Sequence, residues 1–283
     1  MAKVQIVTDS AAQFTPAEIA EYGIKVVPLS VQIDGVIYQD GVTISAEDFL
    51  DKMQKSDHLP QTSQPSIGAF KEIYDQCFEE DPEARVLSLH LSSGLSGTVN
   101  AAAQANALTK ADVFAFDTLS ADRAEAFVVL AAARAAAEGQ DFDQVLKVAE
   151  AARDQTHIYL SFRSLDNMVA GGRLSKTQGL IGNLLNIKVG AEVDDEGKVD
   201  VLVKGRGLKT IKAFNEDVIE KMKAFTTMKS IGVTYTGVTD EAEALAERLN
   251  TIWPDLDILV SVATPIISTH TGMGALAILF EAE

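Results

Sequence analysis

Three short stretches of this chain gather hydroxyls, glycines and a histidine. Ser92-Ser93-Gly94-Leu95-Ser96-Gly97-Thr98 follows the apolar run 86–91 and leads into the helix-forming Val99-Asn100-Ala101-Ala102-Ala103. Gln61-Thr62-Ser63-Gln64-Pro65-Ser66 also precedes a helical pattern, and Ser268-Thr269-His270-Thr271-Gly272-Met273-Gly274 sets a histidine among threonines and glycines. Hydroxyls at a strand-to-helix turn, together with the unpaired N–H groups of the first helical turn, form a clamp for a small anion. The same hydroxyls serve equally as plain helix caps, and a lone histidine serves equally as a packed structural residue.

Other chemistries fit the residues less well. A nucleophile elbow needs G-x-S-x-G, whereas Gly94-Leu95-Ser96-Gly97-Thr98 brings its second glycine one place early. A serine-dependent hydrolase of small esters is the alternative reading, and it needs a base from His270 or His90 that the sequence does not place. No phosphate-binding G-x-x-x-x-G-K-[ST] occurs, and 204–209 lacks the glycine spacing of a dinucleotide turn. His58, His90, His157 and His270 have no metal-ligand spacing, and Cys77 is the single cysteine, so neither a metal nor any other cofactor is expected. A formal net charge of −17 argues against nucleic acid or an anionic membrane surface as a partner. The N-terminus runs straight into a strand pattern without a signal peptide, and the longest apolar stretch, 126–137, is interrupted by Arg134. A cytoplasmic protein without stable membrane insertion is the expectation.

These motifs need elements to position them. At 283 residues the chain is long enough for two domains. Its first half alternates strand and helix patterns, which predicts an α/β domain with a largely parallel sheet. Thr15-Pro16-Ala17-Glu18 has capping-box spacing with proline at the first helical position, and Asp34-Gly35 is a type I′ turn between the runs 24–33 and 36–40. Ser45 and Ser66 cap further helices, with 59–66 read as a loop. A long alanine-rich helix ends at Gly139, and the strand pattern 157–162 follows one more helix. A boundary near residue 157 divides an N-terminal α/β domain, 1–157, from a C-terminal α+β domain, 158–283, with a mixed or antiparallel sheet. The second domain opens with short helical stretches at 164–172 and 176–186, then a hairpin turning at 195–197.

Read together, the segments 7–15, 62–66, 92–98, 165–175, 184–199, 203–210 and 270–275 resemble the DegV family in order and spacing, from residue 3 to about residue 276. The resemblance implies a two-domain DegV-like fold that holds a long-chain fatty acid in a buried apolar tunnel between or within the domains, without catalytic activity of its own. It implies an ATP-dependent fatty acid kinase subunit as partner, which would convert the presented carboxylate to an acyl-phosphate for phospholipid synthesis, and acyltransfer enzymes downstream. Carried over by motif, the carboxylate ligands are Thr62, Ser63, Ser92, Ser93, Ser96 and His270. Gln61, Arg173, Thr271 and Gly272 fall near the head group, and Arg206 corresponds to a partner-docking arginine. Gln61 stands where the family often has threonine, Met273 where it has proline, and 116–123 departs enough that no role is carried there.

Overall fold

The protein is described from a computed structural model, covering residues 3–174 and 187–283. Its first half contains the strands β1 (Val4–Asp9), β2 (Lys25–Val27), β3 (Ser30–Ile33), β4 (Val36–Gln39), β5 (Gln61–Ser63), β6 (Arg85–His90) and β7 (Asp112–Asp117). Between and after them lie α1 (Pro16–Tyr22), α2 (Ala46–Lys55), α3 (Ile67–Glu80), α4 (Thr98–Asn106), α5 (Asp122–Ala137) and α6 (Phe142–Asp154). β2, β1, β6 and β7 pair in that order and all in parallel. Helices cover both faces of this sheet, which is why β6 is buried over all but its first residue and reads as a nearly unbroken apolar run.

Local signals behave as their chemistry dictates. Thr15 Oγ1 accepts from Glu18 N, and Glu18 Oε2 accepts from Thr15 N at 2.8 Å, closing the capping box of α1. Asp34 and Gly35 both have positive φ, 49° and 78°, as the tight β3–β4 hairpin requires. Two expectations need correction. The run 24–33 is not one strand, because Pro28 has no N–H to continue a ladder; the chain leaves β2 in the parallel sheet and enters β3 in a second, antiparallel sheet of order β4-β3-β5. The predicted loop 59–66 contains β5, which pairs Thr62 with Val31 across from β3. As an edge strand with half its surface in solvent, β5 needs no apolar alternation.

The second half contains β8 (Thr156–Phe162), α7 (Asp166–Ala170), β9 (Ile187–Val193), β10 (Val199–Arg206), α8 (Leu208–Met222), β11 (Met228–Tyr235), α9 (Thr239–Ile252), β12 (Leu259–Val262), α10 (Pro265–Thr271) and β13 (Leu276–Ala282). Its sheet runs β10-β9-β8-β13-β11-β12, antiparallel except for the parallel β11–β12 pair, and is therefore mixed. The predicted helical stretch 164–172 is reduced to the short α7, and 176–186 lies outside the described residues. An unforeseen helix, α10, starts at Pro265 behind the Thr264 cap and stops at Gly272. α5 joins the halves: twelve of its sixteen residues are buried, as expected of a helix apolar nearly all round. Val128 and Leu130 pack with Leu87 and Leu89, whereas Ala124 and Phe127 pack with Ile158, Leu160 and Leu279. The result is an α/β fold of two domains with a parallel N-terminal and a mixed C-terminal sheet. Among the described residues, no helix is long and apolar enough to cross a membrane.

Candidate functional site

In the parallel sheet, β2 lies on one side of β1 and β6 on the other, so the strand order reverses between β1 and β6. A crevice opens beyond the carboxyl ends of strands at such a point. Here it becomes a cavity of about 740 Å³, counting the part open to solvent. One wall comes from the connections of the N-terminal half, with Leu29, Leu91, Leu95 and Ala121. The opposite wall comes from Ile158 and Leu160 of β8, Val193 and Val199 of the β9–β10 hairpin, and Ile266 and Ile267 of α10. The apolar part of the lining is aliphatic apart from Met168 and contains no aromatic ring, which suits a flexible hydrocarbon better than a planar ring.

A second, polar cavity of about 700 Å³ adjoins it, lined by Pro60, Gln61, Asn167, Gly171 and Thr269 among others. Both cavities are lined by Thr62, Arg173 and His270, which therefore stand at the junction of the apolar and polar spaces. His270 Nε2 lies 2.8 Å from Thr62 Oγ1, and its buried Nδ1 has no partner among the described residues. Burial, and then the positive charge of Arg173, push the His270 imidazole down to about 4, so at neutral pH it is uncharged. Arg173 donates from Nε to Leu95 O at 3.0 Å and from Nη1 to Gly171 O at 2.6 Å, which fixes its half-buried guanidinium beside the histidine. Gly171 has to be glycine, because a Cβ there would collide with His270 Nδ1. The junction therefore offers one positive charge, a neutral imidazole and hydroxyl donors, a combination that takes up an anion.

The structure distributes the residues singled out by motif as follows. Thr62, Ser96, Arg173, His270 and Thr271 line the apolar cavity, and Gln61 lines the polar one. Ser96 Oγ pairs with Thr98 Oγ1 at 2.8 Å. Ser93 is exposed on the same turn, with its N–H donating to Asp117 at 3.2 Å and its hydroxyl free of partners among the described residues. Thr271 Oγ1 donates to Ile267 O, a bond within α10, and Gly272 ends that helix at φ 73° against Asn167. Ser63, Ser92 and Ser93 line neither cavity. Strand alternation turns Ser63 outward from Thr62, and fully buried Ser92 donates to Gly197 O at 2.7 Å while accepting from Gly94 N. That bond docks the β9–β10 turn onto the hydroxyl motif, and at Gly197, φ 71°, a side chain would strike Ser92. Arg206 ends β10, exposed and outside both cavities.

The hydrolase alternative lacks its constellation. Neither Ser93 nor Ser96 bonds a histidine. His90 does have a serine and a carboxylate: Ser88 Oγ lies 2.7 Å from Nε2, Asp9 Oδ2 lies 3.0 Å from Nδ1, and Tyr74 OH continues the series 2.8 Å beyond Ser88. All four side chains are fully buried, so no substrate reaches them. Their role is positional, because Asp9 also accepts from Ala11 N and Leu91 N and so sets both connections at the switch point. Sequence reasoning assigns no task to Asp9 or Ser10, although both lie in the segment 7–15. It also passed over Gln64 and Asp122, both of which line the apolar cavity. Gln64 sits in the segment 62–66, whereas Asp122, at φ 60° and raised to about 6 by burial, has no sequence signal.

The fold and this junction define a two-domain α/β protein with an amphipathic cavity lined from both halves of the chain. The model of the family described as "Uncharacterised protein, DegV family" matches residues 3–283, and the chain belongs to the DegV family. A DegV domain-containing protein of Streptococcus pneumoniae, spr1019, is 38% identical over 279 residues, covering 99% of this chain and 98% of that one. A Thermus thermophilus DegV family protein, whose structure is described by its fatty acid binding, superposes with a TM-score of 0.86 at 31% identity, over 99% of this chain and 100% of that one. The Streptococcus pneumoniae fatty acid kinase B3 protein loaded with linoleic acid shares the fold, with a TM-score of 0.83 at 22% identity over the full length of both chains.

Proposed function

We propose that this protein binds a long-chain fatty acid between its N-terminal unit, 1–157, and its C-terminal unit, 158–283, and presents the carboxylate to a separate ATP-dependent kinase subunit. The observation that carries the reading is the junction: an aliphatic cavity and a polar one share Thr62, Arg173 and His270. An amphipath with an anionic head fits there with its tail inward. At about 0.8 kcal/mol per buried CH₂, a chain of about sixteen carbons gains about 12 kcal/mol before the costs of association. The tail thus supplies affinity, and the donors at the junction offset the desolvation of the carboxylate.

In this reading the carboxylate takes hydrogen bonds from the Thr62 and Ser96 hydroxyls, while the single N–H of the neutral His270, at Nε2, donates to Thr62 Oγ1 and leaves the Thr62 proton for the carboxylate. Arg173 supplies field rather than a fork, since two of its nitrogens already serve main-chain carbonyls. Neutral donors leave a carboxylate oxygen able to attack a phosphoryl group, which a bidentate arginine would hold back. Arg206 is the docking residue for the kinase; it is exposed, with Lys209 and Lys212 close by in sequence, on a chain of net charge −17. The test is to denature the purified protein, extract it and analyse the extract by mass spectrometry. Recovery of about one fatty acid per chain is expected; no acyl ligand, combined with no uptake of added palmitate, refutes the proposal.

A further inference from the structure

The turn between β9 and β10, 194–198, is braced from within. Asp194 N donates to Lys198 O and Gly197 N to Asp194 O, both at 2.8 Å, while Asp194 Oδ1 accepts from Glu196 N and Lys198 N. Val193 and Val199, paired across the ladder on either side of this turn, line the apolar cavity. The hydroxyl motif 92–98 that meets the turn is braced as well: Ser92 N donates to Ser120 O at 2.7 Å, and Ser92 O accepts from Leu95 N and Ser96 N. Leu91 and Leu95, on either side of Ser92, line the same cavity from the first half of the chain. Two stiff pieces, one from each half, thus meet at the cavity wall. Their contact is close: a Cβ on Gly94 would collide with Gly197 O, and one on Gly197 would collide with Ser92 Oγ. Among the described residues the turn makes one hydrogen bond to the first half, from Ser92 Oγ to Gly197 O at 2.7 Å. Ser92 is fully buried, so water does not compete for that bond.

We propose that Ser92 is a positioning residue for acyl binding, its hydroxyl latching the β9–β10 turn to the 92–98 motif and so closing Val193 and Val199 over the tail. The inference rests on the fatty-acid reading above. A long acyl chain enclosed between two halves enters and leaves through a parting of its walls. At the junction the halves are joined by Thr62 with His270 and by Arg173 with Leu95 O, bonds that surround the head group and therefore act on its affinity. Ser92 lines neither cavity, so its bond is available to the free and the loaded protein alike. A bond made equally in both states leaves the binding equilibrium where it is and changes how often the wall opens.

Stopped-flow mixing with cis-parinaric acid, a fluorescent long-chain fatty acid, measures entry, and its displacement by excess palmitate measures release. Ser92→Ala leaves Gly197 O and Gly94 N–H without their partner in the closed wall, so entry and release should both quicken by about 2- to 10-fold, their ratio staying within about twofold of the wild type. Gly197→Ala drives the turn off Ser92 with its Cβ and should quicken both rates at least as much. The double variant should be no faster than Gly197→Ala alone, because both changes open one latch, a coupling that mere loss of packing at two sites does not produce. Faster release with unchanged entry would make Ser92 part of what holds the ligand and overturns the assignment; so do unchanged rates in Ser92→Ala, or single effects that multiply in the double variant. Should Ser92→Ala fail to fold, unchanged rates in Gly197→Ala overturn it instead. A wild type that binds neither cis-parinaric acid nor palmitate overturns the fatty-acid reading and this inference with it, and does so before any substitution is made.

Discussion

Replacing Thr62 by valine removes one hydroxyl from the junction and almost no volume. Valine suits the β5 edge strand and sits opposite Val31, so the small sheet is retained. The hydroxyl lies 2.8 Å from His270 Nε2, at the boundary of the apolar and polar cavities. When a carboxylate occupies that boundary, the lost bond is one to a charged group, worth about 1.5–3 kcal/mol. At 1.4 kcal/mol per factor of ten, affinity for a fatty acid falls about 10- to 100-fold. For the matching fatty alcohol the lost bond is neutral, about 0.5–1.5 kcal/mol, and the loss is only about 2- to 10-fold. Calorimetric titration of both ligands at neutral pH, where His270 is uncharged, measures the difference. Equal losses for acid and alcohol would mean that the substitution harmed the wall rather than the clamp. No loss for either refutes the placement of the head group at Thr62.

Three further outcomes follow from the same geometry. His270 is depressed to about 4 by burial and by Arg173, and a carboxylate set beside it favours the imidazolium; NMR titration of the histidine should show a rise of about one unit or more with bound fatty acid and none with fatty alcohol. Glu125 is fully buried with both carboxyl oxygens lacking a partner among the described residues, and burial, then Asp9 and Asp122, raise it well above 4.5. The native state keeps a proton that the unfolded chain releases above about 4.5, so stability falls as pH rises, by about 1.4 kcal/mol per unit of raised pKa. Urea denaturation of Glu125→Gln should match the wild type at low pH and exceed it increasingly as the pH rises; parallel curves refute the assignment. Arg206→Ala, at the exposed end of β10, should leave fatty-acid affinity unchanged and slow acyl-phosphate formation by the kinase subunit about tenfold; a fall in affinity would move Arg206 to the lipid site.

What the sequence made legible depends on how local each signal is. Thr15 with Glu18, Asp34 with Gly35, and the caps Ser45 and Ser66 are decided within four residues, and the structure matches them. The two-domain α/β class was legible because alternating strand and helix patterns leave few ways to cover a parallel sheet. β5 was missed because an edge strand of three polar residues has no pattern of its own; it exists only because β3 is there to pair with it. α10 was missed because His270-Thr271-Gly272 was read for its glycines rather than for Pro265 and the Thr264 cap upstream.

The site divides along the same line. Its junction residues announce themselves, because hydroxyls beside glycines and an arginine after paired glycines are unusual company in a core. Ser63 and Ser92 share that company and are spent elsewhere: one faces outward by strand alternation, and the other holds the β9–β10 turn through Gly197. Motif membership therefore marks a neighbourhood, and only pairing decides which hydroxyl in it is free. The aliphatic walls carry no sequence mark at all, since Leu29, Leu91 and Ile266 are the same kinds of residue that fill the core around them. What separates a wall from a core is that its opposing layer is absent, and the absence is enforced at a distance. Asp9 holds the connections after β1 and β6, Ser92 holds the β9–β10 turn, and α5 packs against both sheets. The cavity is thus a property of buried polar fastenings, each joining segments tens to hundreds of residues apart, and a pattern read along the chain registers the fastened residues one at a time.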